Sequence, residues 1–157
     1  MRRTPKPSHE DILWLNDYLP YRLAVVATHM LRGASRVYKS RRNPLTTAQW
    51  RTMGILANHE PLTATELCRT SMLDKVAISR ALAQLRRGFV TRQRLADDRR
   101  ARHVTLTAGG WRYYNDVVPE MKRQEQTLRM VLKAGELEML YAVLERFDDF
   151  FAANGGA

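Results

Sequence analysis

The chain is poor in several things that would point elsewhere. It has a single cysteine, Cys68, so no intramolecular disulfide framework is available. No apolar run approaches the ~20 residues that a membrane span requires. Arg2 and Arg3 open the chain, but Thr4-Pro5-Lys6-Pro7 follows where a signal peptide would carry its apolar stretch. The expectation is a protein of the cytoplasm with no membrane partner. The four histidines, His9, His29, His59 and His103, show no ligand spacing with Cys68 or with acidic residues, so neither metal nor cofactor is expected. Nucleophile elbow, phosphate-binding loop and paired-carboxylate signatures are all missing, which argues against an enzyme. Acidic residues are scarce too: 16 against 26 Lys and Arg, for a formal net charge of +10. That excess favours a polyanionic partner.

What is present is mainly helical patterning. Residues 1–10 are polar, basic and proline-containing, and read as a flexible tail. From Ile12 a helical pattern begins. Leu15, Leu19, Leu23, Val26, Met30, Ala34 and Val37 recur in steps of four and three, which makes one apolar stripe. Pro20 falls within it and should either kink the helix or mark its start. Thr46-Thr47-Ala48-Gln49 and Thr63-Ala64-Thr65-Glu66 both fit capping boxes, each opening a helix. Trp50, Met53 and Leu56 or Ala57 would form the buried face of the first of these. Asp74 should cap a further helix that Gly88 ends. Residues 89–95 and 101–106 alternate as two strands around a charged turn. Thr107 should cap a long helix with Pro119 as a kink. A last helix from about Glu136 carries Leu137, Leu140, Leu144, Phe147 and Phe151.

Residues 74–107 hold the densest information. Between Lys75 and Arg102 there are nine Lys or Arg and only two acids, Asp97 and Asp98. A basic helix followed at once by a basic hairpin supplies one element for the major groove and a tip for flanking backbone or minor groove. At ~100° per residue, Ile78, Leu82 and Leu85 share the core face. Val76, Arg80, Ala83 and Arg87 lie roughly opposite, with Gln84 at their edge. Val76, Ala77 and Arg80 are the expected base contacts, the two apolar side chains through thymine methyls and Arg80 through a guanine edge or else a phosphate. Lys75, Ser79 and Arg87 suit phosphates. In the hairpin, Arg99 is the tip residue, Asp97 holds it or shapes the turn, and Arg100 and Arg102 track phosphates. After Lys133 the balance reverses, with Lys133 and Arg146 facing five acids. That end is a poor DNA contact and a good protein interface.

These elements, in this order, resemble the MarR (multiple antibiotic resistance regulator) family of winged helix-turn-helix transcription factors. The resemblance rests on Asp97-x-Arg99 followed by Val104-x-Leu106-Thr107 and the Gly109-Gly110 pair, and on Ser79-Arg80 with Leu85 and Gly88. It departs from the family in doubling the glycine after the wing and in the weak start Lys133-Ala134-Gly135. It implies a mainly α fold with a small β-wing. Residues 11–157 would form a single domain, with a DNA-binding lobe at 45–107 and homodimerisation helices at 11–42 and 108–153. It also implies a homodimer that binds a pseudo-palindromic operator in double-stranded DNA, as a repressor released by a small molecule. The family's effector pocket lies between dimer helices and DNA-binding lobe. Tyr21, His29, Arg32, Trp50, Met53, Trp111 and Tyr114 are the positions to line it, and they would suit an aromatic acid or its coenzyme A thioester. For Trp50, Met53 and Trp111 a plain core role competes with this one and leads it. Oxidation sensors of the family carry their cysteine near the start of the first helix. Cys68 lies elsewhere and is expected buried and inert. The alternative function is an architectural DNA-binding protein with no effector.

Overall fold

A computed structural model describes residues 13–94 and 101–155. The chain is mainly helical and carries one small sheet. In order it runs α1 (Leu19–Lys39), α2 (Thr47–His59), β1 (Leu62–Thr63), α3 (Ala64–Ser71), α4 (Lys75–Leu85), β2 (Val90–Gln93), β3 (His103–Leu106), α5 (Ala108–Arg129) and α6 (Glu136–Ala153). Two units divide within α1, at Arg36 and Val37.

In the first unit, α1 begins at Leu19 with Pro20 in its first turn, so the proline marks a helix start. The helix contains no acidic residue. Its apolar stripe is largely solvent-facing in the single chain: Leu19, Leu23, Val26 and Met30 are each 42–51% exposed.

The second unit holds the core. Met53, Leu56, Leu67, Leu82, Leu85, Val104 and Val117 are completely buried, joined by Ile78, Val90 and Leu106. Helices α2, α3 and α4 pack on one another and the sheet closes one side. Helices α2 to α5 each start where a side chain satisfies free backbone amides. Thr46 accepts from Gln49 N–H at 3.3 Å, and Gln49 accepts in return from Thr46 N–H. Thr63 and Glu66 form the same reciprocal pair. Asp74 Oδ1 accepts from Ala77 N–H at 2.7 Å, and Thr107 Oγ1 from Gly110 N–H at 3.0 Å. Helix α3 ends on Met72, in left-handed conformation at φ 55°, which reverses the chain toward α4.

The sheet has three strands, in order β1-β3-β2, all antiparallel. Thr91 faces Thr105 and Arg92 faces Val104 across the hairpin. Sequence reading leads to only two strands, and the third is the two-residue β1, Leu62 opposite Val104 and Thr63 opposite His103. A strand that short has no alternation to detect and sits in what reads as a break after Pro61. The hairpin strands are also shorter than the expected runs at 89–95 and 101–106. Helix α4 stops at Leu85, with Gly88 three residues on at φ 146°, so the glycine lies beyond the cap rather than forming it.

Helix α5 crosses close over the start of β2. A Cβ at Gly109 would stand 2.7 Å from the Gly88 carbonyl oxygen, and one at Gly110 would overlap the Phe89 carbonyl oxygen. Both glycines of the doubled pair are therefore required by contact. Helix α5 runs on through Pro119. Helix α6 begins at Gly135, in left-handed conformation, with Glu136 accepting from Lys133 N–H at 2.7 Å. None of its residues is buried, and Met139, Leu140, Tyr141, Phe150 and Phe151 are exposed.

Candidate nucleic-acid interface

Helix α4 is held by its apolar face. Ile78, Ala81, Leu82 and Leu85 are all at most 3% exposed, a spacing of three, four and seven that a helix turns to one side. The opposite face is free. Val76 is 57% exposed, so its methyls are free to meet an apolar partner such as a thymine methyl. Arg80, Ala83, Gln84 and Arg87 are exposed along the same face. Ala77, expected beside Val76, is half-buried, and its amide is tied to the Asp74 cap.

Lys75 and Ser79 lie on the flank of α4 toward the sheet. With Thr65, Cys68, Ile78 and Arg92 they line a hollow of about 390 Å³. Cys68 is therefore only half-buried, not enclosed as expected. One α3 turn separates it from the capped Thr63, so its side chain reaches the edge of the helix pair. Arg92, ambiguous as a strand arginine, faces this hollow from β2. Alternation along a strand gives its face but not what stands opposite, so the sequence alone left its role open.

At the hairpin, Arg102 is exposed at the start of β3. Asp97, Arg99 and Arg100 lie outside the described residues. The hairpin's position is nevertheless fixed from its base. Thr107 N–H donates to Phe89 C=O at 3.0 Å, and Thr107 Oγ1 donates to Gly88 C=O at 2.6 Å. Glu60, at the end of α2, accepts from Leu106 N–H. Thr63 and Glu66 anchor the other edge. The Thr63 amide and then its hydroxyl donate to the Glu66 carboxylate at 2.7 and 2.8 Å, holding it below the usual carboxylate range.

The aromatic and cationic positions fall into two groups, one in each unit. Tyr21, His29 and Arg32 share a shallow hollow of α1 with Ala24, Val25 and Thr28. In the second unit, Tyr38, Trp50 and Tyr114 stack face to face with centroids 5.5 and 5.6 Å apart, and Trp111 meets Tyr114 edge-on at 5.8 Å. Met53 is completely buried and acts as core. Beside the column, Tyr113 OH donates to Tyr38 C=O at 3.0 Å, and burial pushes its phenol pKa up. Arg41 pairs with Asp116 at 3.4 Å. Among the described residues no cluster of His, Cys, Asp or Glu is arranged to hold a metal ion, and no helix is long and apolar enough to cross a membrane.

A capped helix, a left-handed turn, a second helix with a basic free face and an antiparallel hairpin define a winged helix-turn-helix lobe of the DNA-binding type. The sequence model of the MarR family matches residues 43–101, which takes in α2 to β2 of this lobe. Solved structures extend the likeness over nearly the whole chain. A MarR/EmrR family transcriptional regulator from Acinetobacter sp. ADP1 superposes with a TM-score of 0.80 at 17% identity, over 90% of this chain and 99% of that one. The PcaV transcriptional regulator from Streptomyces coelicolor, in complex with its natural ligand, gives 0.68 at 19% identity, over 88% and 96%. A MepR variant from S. aureus bound to an oligodeoxyribonucleotide gives 0.55 at 23% identity, over 85% and 98%. No curated protein matches the chain. Residues 43–101 thus match the MarR family model, and the fold of nearly the whole chain is the one seen in solved MarR-family transcriptional regulators.

Proposed function

We propose that this protein is a repressor that binds a pseudo-palindromic operator as a homodimer and leaves it when a small effector binds. The observation that carries the reading is the free face of α4, where Val76, Arg80, Ala83, Gln84 and Arg87 stand exposed without an acidic neighbour on the helix. Val76 and Arg80 meet base edges, and Lys75, Ser79 and Arg87 meet phosphates. Ala77 flanks them, and Arg102 with Asp97, Arg99 and Arg100 of the wing tip engages the flanking duplex.

Dimerisation is supported by unpaired apolar surface at both ends of the chain. Leu19, Leu23, Val26 and Met30 of α1 and Leu140, Leu144 and Phe151 of α6 are 38–51% exposed in one copy. A symmetric dimer removes such surface from water and sets two recognition helices at a fixed spacing. A cytoplasmic site suits a protein that must reach the chromosome.

The effector class is an aromatic acid or its coenzyme A thioester. The support is the hollow with His29 and Arg32 and the aromatic column of Trp50, Trp111 and Tyr114; the similar PcaV shows that a regulator of this fold can hold a ligand. Release follows by linkage, because a ligand shifts DNA affinity only by binding free and DNA-bound dimer unequally.

Selection from random duplexes tests the reading. A regulator enriches one palindrome and prefers it by ~10³-fold or more over bulk DNA. Enrichment of no sequence, with affinity uniform across duplexes, would instead make the protein an architectural DNA binder. Aromatic acids and acyl-CoA esters are then screened for release of the selected duplex.

A further inference from the structure

A second hollow, of about 440 Å³, opens at the far end of α4, bounded by the α1–α2 loop. Its walls include Asn43 and Pro44 from the loop, Gln49 from α2, Gln84 from α4, and Arg87 and Phe89 from the turn that follows it. Ligand pockets for small molecules are mostly apolar and enclosed. This one is open and rimmed by amides and a guanidinium, with no carboxylate on its wall.

Gln49 gives the hollow its polarity. It is only 6% exposed, and both ends of its amide are committed. Its Oε1 accepts from Thr46 N–H in the α2 capping box, so its Nε2 is the end that points outward. That Nε2 donates to Gln84 Oε1. With its oxygen occupied, the exposed Gln84 has its NH2 group left as the free end, a donor. Asn43 and Arg87 add further donors at the same mouth. Gln84 also belongs to the exposed face of α4 that carries Val76 and Arg80, and exposed Arg87 follows in the turn after it, so hollow and recognition face are continuous.

We infer that this hollow seats one backbone phosphate of each operator half-site, making the α1–α2 loop a third DNA-contacting element beside helix α4 and the wing. Gln84 and Arg87 donate to the phosphate oxygens, and Asn43 closes the seat from the loop. Gln49 is a positioning residue that touches no DNA and sets which end of Gln84 faces it. The inference rests on the DNA-binding reading above.

The test uses the full-length protein and the duplex it selects. Each phosphate flanking the half-site is replaced singly by a neutral methylphosphonate, and affinity is measured for wild type, Gln84→Ala, Arg87→Ala and Gln49→Glu. Gln84 and Arg87 are exposed, so their variants keep the fold. Gln49→Glu keeps the capping box, which takes Glu as readily as Gln, but cannot donate to Gln84. Gln84 then turns its NH2 inward and presents its oxygen to the DNA. The expected result is one phosphate per half-site whose neutralisation weakens wild type about tenfold and costs the three variants little more. Arg87→Ala should also reduce the log–log salt slope by about 0.9. The inference is overturned if every flanking methylphosphonate costs wild type and variants equally. In that case, continued selection of a palindrome, with base choice relaxed by Arg80→Ala, leaves the DNA-binding reading standing. Failure of wild type to select any sequence refutes that reading and this inference together.

Discussion

The contact between α5 and the start of β2 makes one substitution act with opposite signs at two glycines. In a helix interior, Gly→Ala stabilises by about 1 kcal/mol, since alanine loses less backbone entropy on ordering. Gly54 lies inside α2 with nothing within 4 Å of where its Cβ would be. Gly54→Ala should therefore gain about 0.8–1 kcal/mol. Gly110 lies in the first turn of α5, where its Cβ would overlap the Phe89 carbonyl oxygen and stand 3.1 Å from the carbonyl carbon and 3.3 Å from Leu106 Cδ2. Two of those obstacles are backbone and cannot rotate away. Forcing them apart is an overpacking cost of about 1–3 kcal/mol. It also strains the bond from Thr107 N–H to the same Phe89 oxygen, worth about 0.5–1.5 kcal/mol. After the helix-propensity gain, Gly110→Ala should destabilise by about 1–3 kcal/mol. Urea unfolding of both variants and wild type at one protein concentration measures this, because a dimer's midpoint moves with concentration. If Gly110→Ala equals or exceeds wild-type stability, α5 does not cross the hairpin base as described, and the wing is not held from below.

Arg80→Ala should weaken operator binding by about 1–3 kcal/mol and relax discrimination at one base position, read by binding to a panel of single-base variants; unchanged specificity would remove Arg80 from the base-reading set. Thr63→Ala should cost about 1 kcal/mol of stability as a lost helix cap, seen in the same urea assay. The lowered pKa of Glu66 means its charged form is favoured in the folded state. Its contribution is complete above the ordinary carboxylate value and is lost as pH falls through the depressed folded value. Glu66→Gln should therefore lower stability at neutrality and flatten part of the acid limb of stability against pH, the difference from wild type closing as pH falls through the depressed value. An acid limb identical to wild type would contradict that pairing. Removing the residues after Lys133 deletes α6 and should convert the dimer to a poorly soluble or dissociated species by sedimentation; an intact protein that sediments as a stable monomer at micromolar concentration would refute the dimer.

Local rules carried most of the fold. The pairs Thr46–Gln49 and Thr63–Glu66, and the single caps Asp74 and Thr107, are visible in sequence because a cap is a matter of residues three apart. The core face of α4 follows from its period. What escaped was set by contacts between distant segments. β1 is two residues long and exists only because β3 offers it a partner. Gln49 reads as a cap, and its second bond, to a residue 35 positions away, has no local signal. The half-exposure of Cys68 goes with a hollow that α3 and α4 share with Arg92 of β2, residues far apart in the sequence. Gly109 and Gly110 look like a departure from the family pattern until the Gly88 and Phe89 carbonyls are found against them.

The stacked column of Tyr38, Trp50, Tyr114 and Trp111 has an optical consequence. The chain has three tryptophans, and two of them sit in this column, on α2 and α5. Trp14→Phe leaves only these two indoles to emit. Closely spaced rings in fixed orientation couple their transitions, so near-ultraviolet circular dichroism becomes a gauge of the registry between α2 and α5. Any ligand or operator that shifts one helix against the other writes its effect into that band, without a dye and without a label.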